Sequence, residues 1–160
     1  MCDNASIGIR NGHVIDRSRC PETTISRFRQ EIIQSVDAGA RLSALLAEPA
    51  ARPGAMRLMA VLARPATNDL RLLACPVGSS YPALTPDCPA AHWFEREIAE
   101  QWHINPEGHP WLKPIRFQQP CTTGSSKAGS ACTIGVTDFF RMQGEEVHEV
   151  AVGPVHAGII

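Results

Sequence analysis

Three apolar segments of similar length follow one another between residues 40 and 77, namely ARLSALLAE, AMRLMAVLAR and DLRLLACPV. The separators P-A-A-R-P-G and P-A-T-N are rich in turn-forming residues. Short apolar segments at this spacing favour an antiparallel meander, because each strand can pair with the next through a tight turn. The Ala-rich stretch LSALLAEPAA is also compatible with a helix.

Apolar residues fall on both faces of the second predicted strand. One face would carry Met56, Leu58, Ala60 and Leu62, and the other would carry Met59 and Val61. A strand that is apolar on both faces is either covered on both faces or meets a partner on one of them. We therefore expect something to lie on the second face of the sheet.

Two amphipathic helices flank these segments. In TTISRFRQEIIQSVDAG, Thr23 or Thr24 could cap the N-terminus and Gly39 could end the helix. Its apolar face comprises Ile25, Phe28, Ile32 and Val36.

The second predicted helix follows a proline-punctuated stretch, SSYPALTPDCP, which should be extended. Asp87 or Cys88 could cap this helix, and Pro89 suits its first turn. Pro106 and Gly108 should end it. Its apolar stripe comprises Ala91, Phe94, Ile98 and Trp102, and its remaining surface comprises Glu95, Arg96, Glu97 and Glu100.

Length and charge narrow the class of protein. A chain of 160 residues suits one domain with a tail, and fifteen basic against sixteen acidic residues give no basic surface for nucleic acid. No apolar run approaches the ~20 residues of a membrane-spanning helix, and the N-terminus lacks a signal-peptide pattern. We expect a cytoplasmic chain without direct membrane insertion, in which the six scattered cysteines are reduced thiols.

The predicted fold is α+β and two-layered, with a mixed or antiparallel sheet and helices packed on one face. Residues 1–20 are expected to be poorly ordered, and residues 21–117 to form the α+β domain. Residues 118–136, which are small and polar, are typical of a linker. Residues 137–160 predict a β-hairpin that begins a further domain.

Residues 92–117 concentrate the side chains that could carry chemistry. His92 and His103 would lie ~16 Å apart on the helix, too far to share a metal ion. His103 and His109 could approach each other, but a third ligand is not evident. A general acid or base among the glutamates is conceivable, although Glu95 and Glu97 point to different sides of the helix. Nucleotide-binding and hydrolase motifs are missing from the sequence.

The stretch YPALTPDCPAAHWFEREIAEQWHINPEGHPWLKPI resembles the signature region of the C-type subunit of respiratory NADH dehydrogenase, complex I. His103 departs from the family pattern, where glycine is usual, and Trp111 replaces a small acidic or polar residue. A residue other than glycine at the helix end is expected to alter the exit of the chain. The matching residues are Glu95, Arg96, Glu97, Glu100, Trp102, Ile104, Glu107, Gly108, His109, Pro110 and Leu112.

A second stretch, GEEVHEVAVGPVHAGII, resembles the start of the large-subunit domain of membrane-bound [NiFe] hydrogenases of the formate-hydrogenlyase type. Gly153, Pro154 and His156 match a G-P-x-H pattern shared with the D-type subunit of complex I. Ile160 replaces the next histidine of quinone-reducing relatives, which favours the hydrogenase branch. In that family a domain like the C-type subunit precedes the large-subunit domain in one polypeptide.

Together the two resemblances imply a docking domain of a membrane-associated oxidoreductase complex. The domain would hold no cofactor, because the family's nickel ligands are paired C-x-x-C cysteines that this sequence lacks. Its partners would be the large-subunit domain and the small or iron–sulfur subunits, at the inner face of the cell membrane. The implied interface residues are Glu95, Arg96, Glu97, Glu100, Gly108, His109, Pro110 and His156. An independent metal protein or enzyme, and a scaffold without redox function, are the alternatives.

Overall fold

The three apolar segments form the predicted meander in the computed structural model, which describes residues 6–115 and residue 121. Two 3₁₀ turns, Arg17–Arg19 and Pro89–Ala91, accompany the regular elements. In chain order these elements are β1 (Ile7–Ile9), α1 (Ile25–Asp37), β2 (Arg41–Pro49), β3 (Met56–Arg64), β4 (Asp69–Val77), β5 (Ser80–Pro82), α2 (His92–Trp102) and β6 (Asn105–Glu107).

The main sheet is antiparallel, with strand order β1-β4-β3-β2. The register places Leu45 opposite Ala60, and Ala60 opposite Leu73, so that one face of the sheet is continuously apolar. The helical alternative for the Ala-rich stretch is wrong, because those residues form β2. The turn residues between the segments therefore outweigh the helix propensity of alanine.

Helix α1 packs on this apolar face as its periodicity predicts. Phe28 and Ile32 are fully buried, and Ile25 and Val36 pack at the edge of the same core. The side-chain oxygen of Thr24 accepts a hydrogen bond from the backbone N–H of Arg27, at the N-terminus of the helix. Both helices contribute to this one core, which confirms the α+β fold with helices on one face.

The second face of the sheet is covered by the N-terminal segment. Cys20, Leu72 and Ala74 are buried there, and Met59 and Val61 pack against them. The sequence predicts no element in residues 1–20, so it misses β1, which pairs with β4. A strand of three residues is too short to show periodicity. Its position is determined by pairing with the free edge of β4.

An ion-pair network fastens this N-terminal segment to the sheet. Arg57 on β3 is only 7% exposed. Its guanidinium lies 2.7 Å from the carboxylate of Glu48 and 3.2 Å from that of Glu22. It also donates to the backbone carbonyl of Arg17 at 3.4 Å. The buried charge of Arg57 is thus matched by two carboxylates.

A small parallel pair, β5 with β6, joins the two segments that flank α2. Among the described residues, neither helix has the length and apolar character to cross a membrane. Beyond residue 115 only Cys121 is described, and its backbone N–H donates to the carbonyl oxygen of Gln101 at 2.9 Å. The predicted linker 118–136 apart from this residue, and the predicted hairpin 137–160, lie outside the described residues.

Candidate docking site on helix α2

The buried face of α2 is not the apolar stripe that the sequence predicts. Ala91 and Ile98 are buried as expected, but Phe94 and Trp102 are only half-buried at the edge of the core. The fully buried residue between them is Glu95. The helix is therefore rotated so that a charged residue faces inward, and the expectation that Glu95 and Arg96 lie on its surface is wrong.

Glu95 holds the proline-rich segment that precedes the helix. Its carboxylate accepts hydrogen bonds from the backbone N–H of Leu84 at 2.7 Å and of Thr85 at 2.9 Å, and from the Thr85 hydroxyl at 2.5 Å. A buried carboxylate is tolerated where several donors replace its hydration. Burial, followed by the nearby charge of Glu95, raises the pKa of Tyr81 in the same pocket of the core.

Arg96 and Glu100 hold the segment that follows the helix. The guanidinium of Arg96, which is 5% exposed, donates to the carbonyl oxygens of Lys113 at 2.7 Å and Pro114 at 3.1 Å. The carboxylate of Glu100 accepts from the backbone N–H of Ile115 at 2.7 Å. The polar residues of α2 thus bind the backbone on both sides of the helix.

The E-G-H-P stretch forms a tight turn against the first turn of α2. Gly108 has φ +81°, a conformation that glycine adopts without steric cost, and Pro110 is exposed just beyond it. The ring of His109 accepts a hydrogen bond from Trp111 N–H through Nδ1, so Nε2 carries the hydrogen and donates to the carbonyl of His92 at 3.3 Å. His109 is therefore a structural link between turn and helix.

The histidine that meets His109 is His92, and not His103 as the sequence suggests. The two ring centroids are 5.0 Å apart, at the start of α2. Partial burial, followed by electrostatic interaction with His109 and with the charge of Arg96, lowers the pKa of His92. Nitrogen atoms of His109 are already used in hydrogen bonds, and no group of three potential metal ligands lies together within residues 6–115 and 121.

Two exposed tryptophans enclose Arg96 on the outer side of this arrangement. The guanidinium carbon of Arg96 lies 4.7 Å from the ring centroid of Trp93 and 4.9 Å from that of Trp111. Trp93 is 61% exposed and Trp111 is 53% exposed. The Lys113 ammonium lies 5.4 Å from the Trp111 ring, and the His92 ring stacks on it at 6.1 Å. We call this set the cation–tryptophan patch: His92, Trp93, Arg96, His109, Trp111 and Lys113.

His103 occupies the glycine conformation at the end of α2. It has φ +54° and ψ +30°, the left-handed region that ends many helices. The histidine accepts the backbone strain of this conformation, and the helix ends in a left-handed cap without a glycine. The Trp111 departure has a larger consequence, because this residue forms one side of the patch.

Three of the four described cysteines are buried like small apolar residues. Cys20, Cys75 and Cys88 are buried, and Cys121 is exposed. Burial raises the pKa of Cys75 to about 12, so its thiol stays protonated at neutral pH. Three of these four thiols are therefore poorly placed for catalysis or metal binding.

A shallow cleft of about 340 Å³ lies between the end of α1 and the β3–β4 turn. The charged groups that line it are paired with each other or with a neighbour. Arg71 lies 3.3 Å from Glu31, and Arg64 pairs with Asp69. The cleft consequently offers fewer unused binding groups than the cation–tryptophan patch.

The remaining predicted interface residues fall around α2 or outside the described part. Glu97 is half-buried on the helix, next to the residues that hold the flanking segments. His156 lies outside the described residues. Thr85 and Lys113 were not predicted as site residues. The indication that could have found them is their position in the two loops that α2 holds.

Comparison with known proteins identifies the family of this chain. The model of the family described as the respiratory-chain NADH dehydrogenase 30 kDa subunit matches residues 30–123, which is more than half of the chain. No curated protein matches. The matched range contains the sheet from β2 onward, α2 and the E-G-H-P turn. The chain belongs to the family of the 30 kDa subunit of respiratory-chain NADH dehydrogenase.

Proposed function

We propose that the chain is a cofactor-free docking domain of a membrane-associated respiratory oxidoreductase complex, of NADH dehydrogenase or hydrogenase type. Its family is a subunit of such a multisubunit complex, so the chain has protein partners. Its role in the complex is to hold and position the large-subunit domain, in which the redox chemistry takes place.

The observation that carries this proposal is that different residues of α2 have different roles: some bind the neighbouring loops, and others are exposed at the surface. Glu95, Arg96 and Glu100 bind the backbone of the two flanking segments. The helix and its loops therefore form one braced unit, and the tryptophans are held at its surface. Exposed tryptophans beside a cation are typical of protein interfaces, where they contribute a large part of the binding free energy.

Glu95 and Arg96 act in this proposal as supports of the interface, and not as its ion pairs. Their hydrogen bonds are directed to Leu84, Thr85, Lys113 and Pro114 within the domain. Gly108, His109 and Pro110 shape the neighbouring turn, and Glu97 and Glu100 lie along the same helix. The partner would meet the cation–tryptophan patch itself.

The partner that we propose is the large-subunit domain that residues 137–160 would begin, since that stretch resembles the start of a hydrogenase large subunit. His156 would belong to it. Small or iron–sulfur subunits would complete the complex at the inner, cytoplasmic face of the cell membrane. The chain would reach the membrane through these partners, without direct insertion.

Affinity purification of the chain with its partners tests the proposal. We expect a tagged chain to retain small or iron–sulfur subunits of NADH dehydrogenase or hydrogenase type, identified by mass spectrometry. The chain purified alone should show no stoichiometric metal by elemental analysis and no turnover of NADH. A stoichiometric metal, or intrinsic turnover, would instead support an independent metal protein or enzyme.

A further inference from the structure

The positive charge of the cation–tryptophan patch is unmatched within the described residues. Arg96 is slightly more buried than Arg57, but of these two arginines only Arg57 has carboxylates within 4.0 Å among the described residues. The Nη1 atom of Arg96 is buried and lacks a hydrogen-bond partner in the described part of the chain. Buried charges in proteins are normally paired, because an unpaired charge loses its hydration without compensation. We therefore expect Arg96 to pair with an acidic group from outside the described residues.

The surroundings of Arg96 fit an acidic peptide better than a small anion. Lys113 adds a second cation that has no acidic group within 4.0 Å among the described residues. Trp93 and Trp111 add apolar area on both sides, and Leu112 next to them is 41% exposed. A ligand that carries carboxylates and an apolar side chain would use both kinds of group.

The chain itself contains such a segment within reach. Residues 144–149 read G-E-E-V-H-E, in a C-terminal stretch, 122–160, that holds four acidic and two basic residues. Cys121 is fixed to Gln101. From Gln101 to Trp93 the distance along the helix is about 12 Å, whereas the 24 residues from Cys121 to Glu145 can span up to about 80 Å. A connection of this kind supplies the segment at an effective concentration on the order of a millimolar.

We propose that the cation–tryptophan patch binds residues 144–149 of the same chain, with the carboxylates of Glu145 and Glu146 facing Arg96 and Lys113. Val147 would lie against the exposed tryptophans. The inference rests on the proposed function, because it names the part of the following domain that the patch holds. It commits to an intrachain contact, so a second copy of the chain or another subunit on the patch would contradict it.

Nuclear magnetic resonance of the full chain tests this contact through the indole N–H signals of its three tryptophans. We compare the chain with the Glu145→Gln/Glu146→Gln variant. The signals of Trp93 and Trp111 should move by more than their linewidths, and the signal of Trp102, which is outside the patch, should stay. Asp138→Asn is the matched control, since it removes one acidic group of the same stretch outside the segment, and it should leave all three signals in place.

A double-mutant comparison tests whether the glutamates act through Lys113 of the patch. In a Lys113→Gln background, the shifts caused by Glu145→Gln/Glu146→Gln should fall by at least half, because one partner is already removed. Unchanged Trp93 and Trp111 signals in the double glutamine variant would overturn the proposal. So would signals that change on dilution, which indicate a second copy, or signals that respond only when other subunits are added. None of these outcomes alters the affinity-purification result, so the proposed function is tested separately.

Discussion

The two helices of this domain have similar lengths but bury different kinds of residue. Helix α1 buries Phe28 and Ile32, and its glutamate Glu31 forms a half-exposed ion pair with Arg71. Helix α2 buries Glu95 and Arg96 beside Ile98. The difference lies in the neighbours: α1 covers a finished sheet, whereas α2 has irregular segments on both sides whose backbone groups need partners. Charged residues on a helix can therefore stabilise the fold when the backbone groups of the neighbouring loops lack hydrogen-bond partners of their own.

The apolar cores of the two helices give the first and largest expected contrast. Phe28→Ala should lower the free energy of unfolding by roughly 3–5 kcal/mol, because a fully buried aromatic ring leaves a cavity. Phe94→Ala should lower it by roughly half as much, since this ring is only half-buried at the edge of the core. Urea-induced unfolding measures both values. Equal losses would show that Phe94 is packed as tightly as the apolar stripe of α2 predicts.

The two glutamates sharpen the same comparison. Glu95→Ala should cost roughly 2–5 kcal/mol, because two buried backbone N–H groups lose their acceptor. Glu31→Ala on α1 is the matched control and should cost less than about 1 kcal/mol, as is typical of exposed ion pairs. Urea-induced unfolding again gives both numbers. If Glu95→Ala were as mild as Glu31→Ala, the bracing role of α2 would have to be abandoned.

The helix ends differ in a smaller way. Helix α1 is followed by Gly39 at φ +91°, and α2 ends at His103 at φ +54°. His103→Gly should raise the free energy of unfolding by about 0.5–1 kcal/mol, because relief of the left-handed strain exceeds the added entropy of the unfolded chain. Gly39→Ala should lower the free energy of unfolding by roughly 1 kcal/mol, because alanine is strained in the left-handed conformation. The added Cβ would contact nothing, so backbone strain is the main cost. Thermal unfolding of both variants provides the check.

The smallest expected effect is a pH dependence that arises from His92 on α2. The pKa of His92 is lowered in the folded state, so between the folded and unfolded values the unfolded chain binds more protons. Stability should therefore fall as the pH drops through about 6.5, the ordinary histidine value. Urea-induced unfolding at a series of pH values measures the fall, which should be smaller in His92→Asn. Asp16 and Asp69, whose pKa values are also lowered, act at more acidic pH.

Sequence patterns predicted the parts of the fold that depend on repetition. The meander and α1 follow from alternation, turn residues and helical spacing, and the E-R-E…E-G-H-P resemblance predicted the family. The position of Glu95 did not follow, because its donors at Leu84 and Thr85 come from a turn that has no periodic signal. The pairing of His92 with His109 likewise depends on how the chain returns after α2, which no local spacing records.

The measurement that tests the central claim most directly is assembly with the Trp93→Ala/Trp111→Ala variant. Both rings are more than half exposed, so circular dichroism should show a fold that melts within about 5 °C of the unmodified chain. The docking role predicts that the large-subunit domain is no longer held in place, so that the amount of small and iron–sulfur subunits retained by the tagged chain falls about tenfold, equivalent to ~1.4 kcal/mol of binding free energy. Full retention by a correctly folded variant would contradict the claim that α2 presents this patch to a partner.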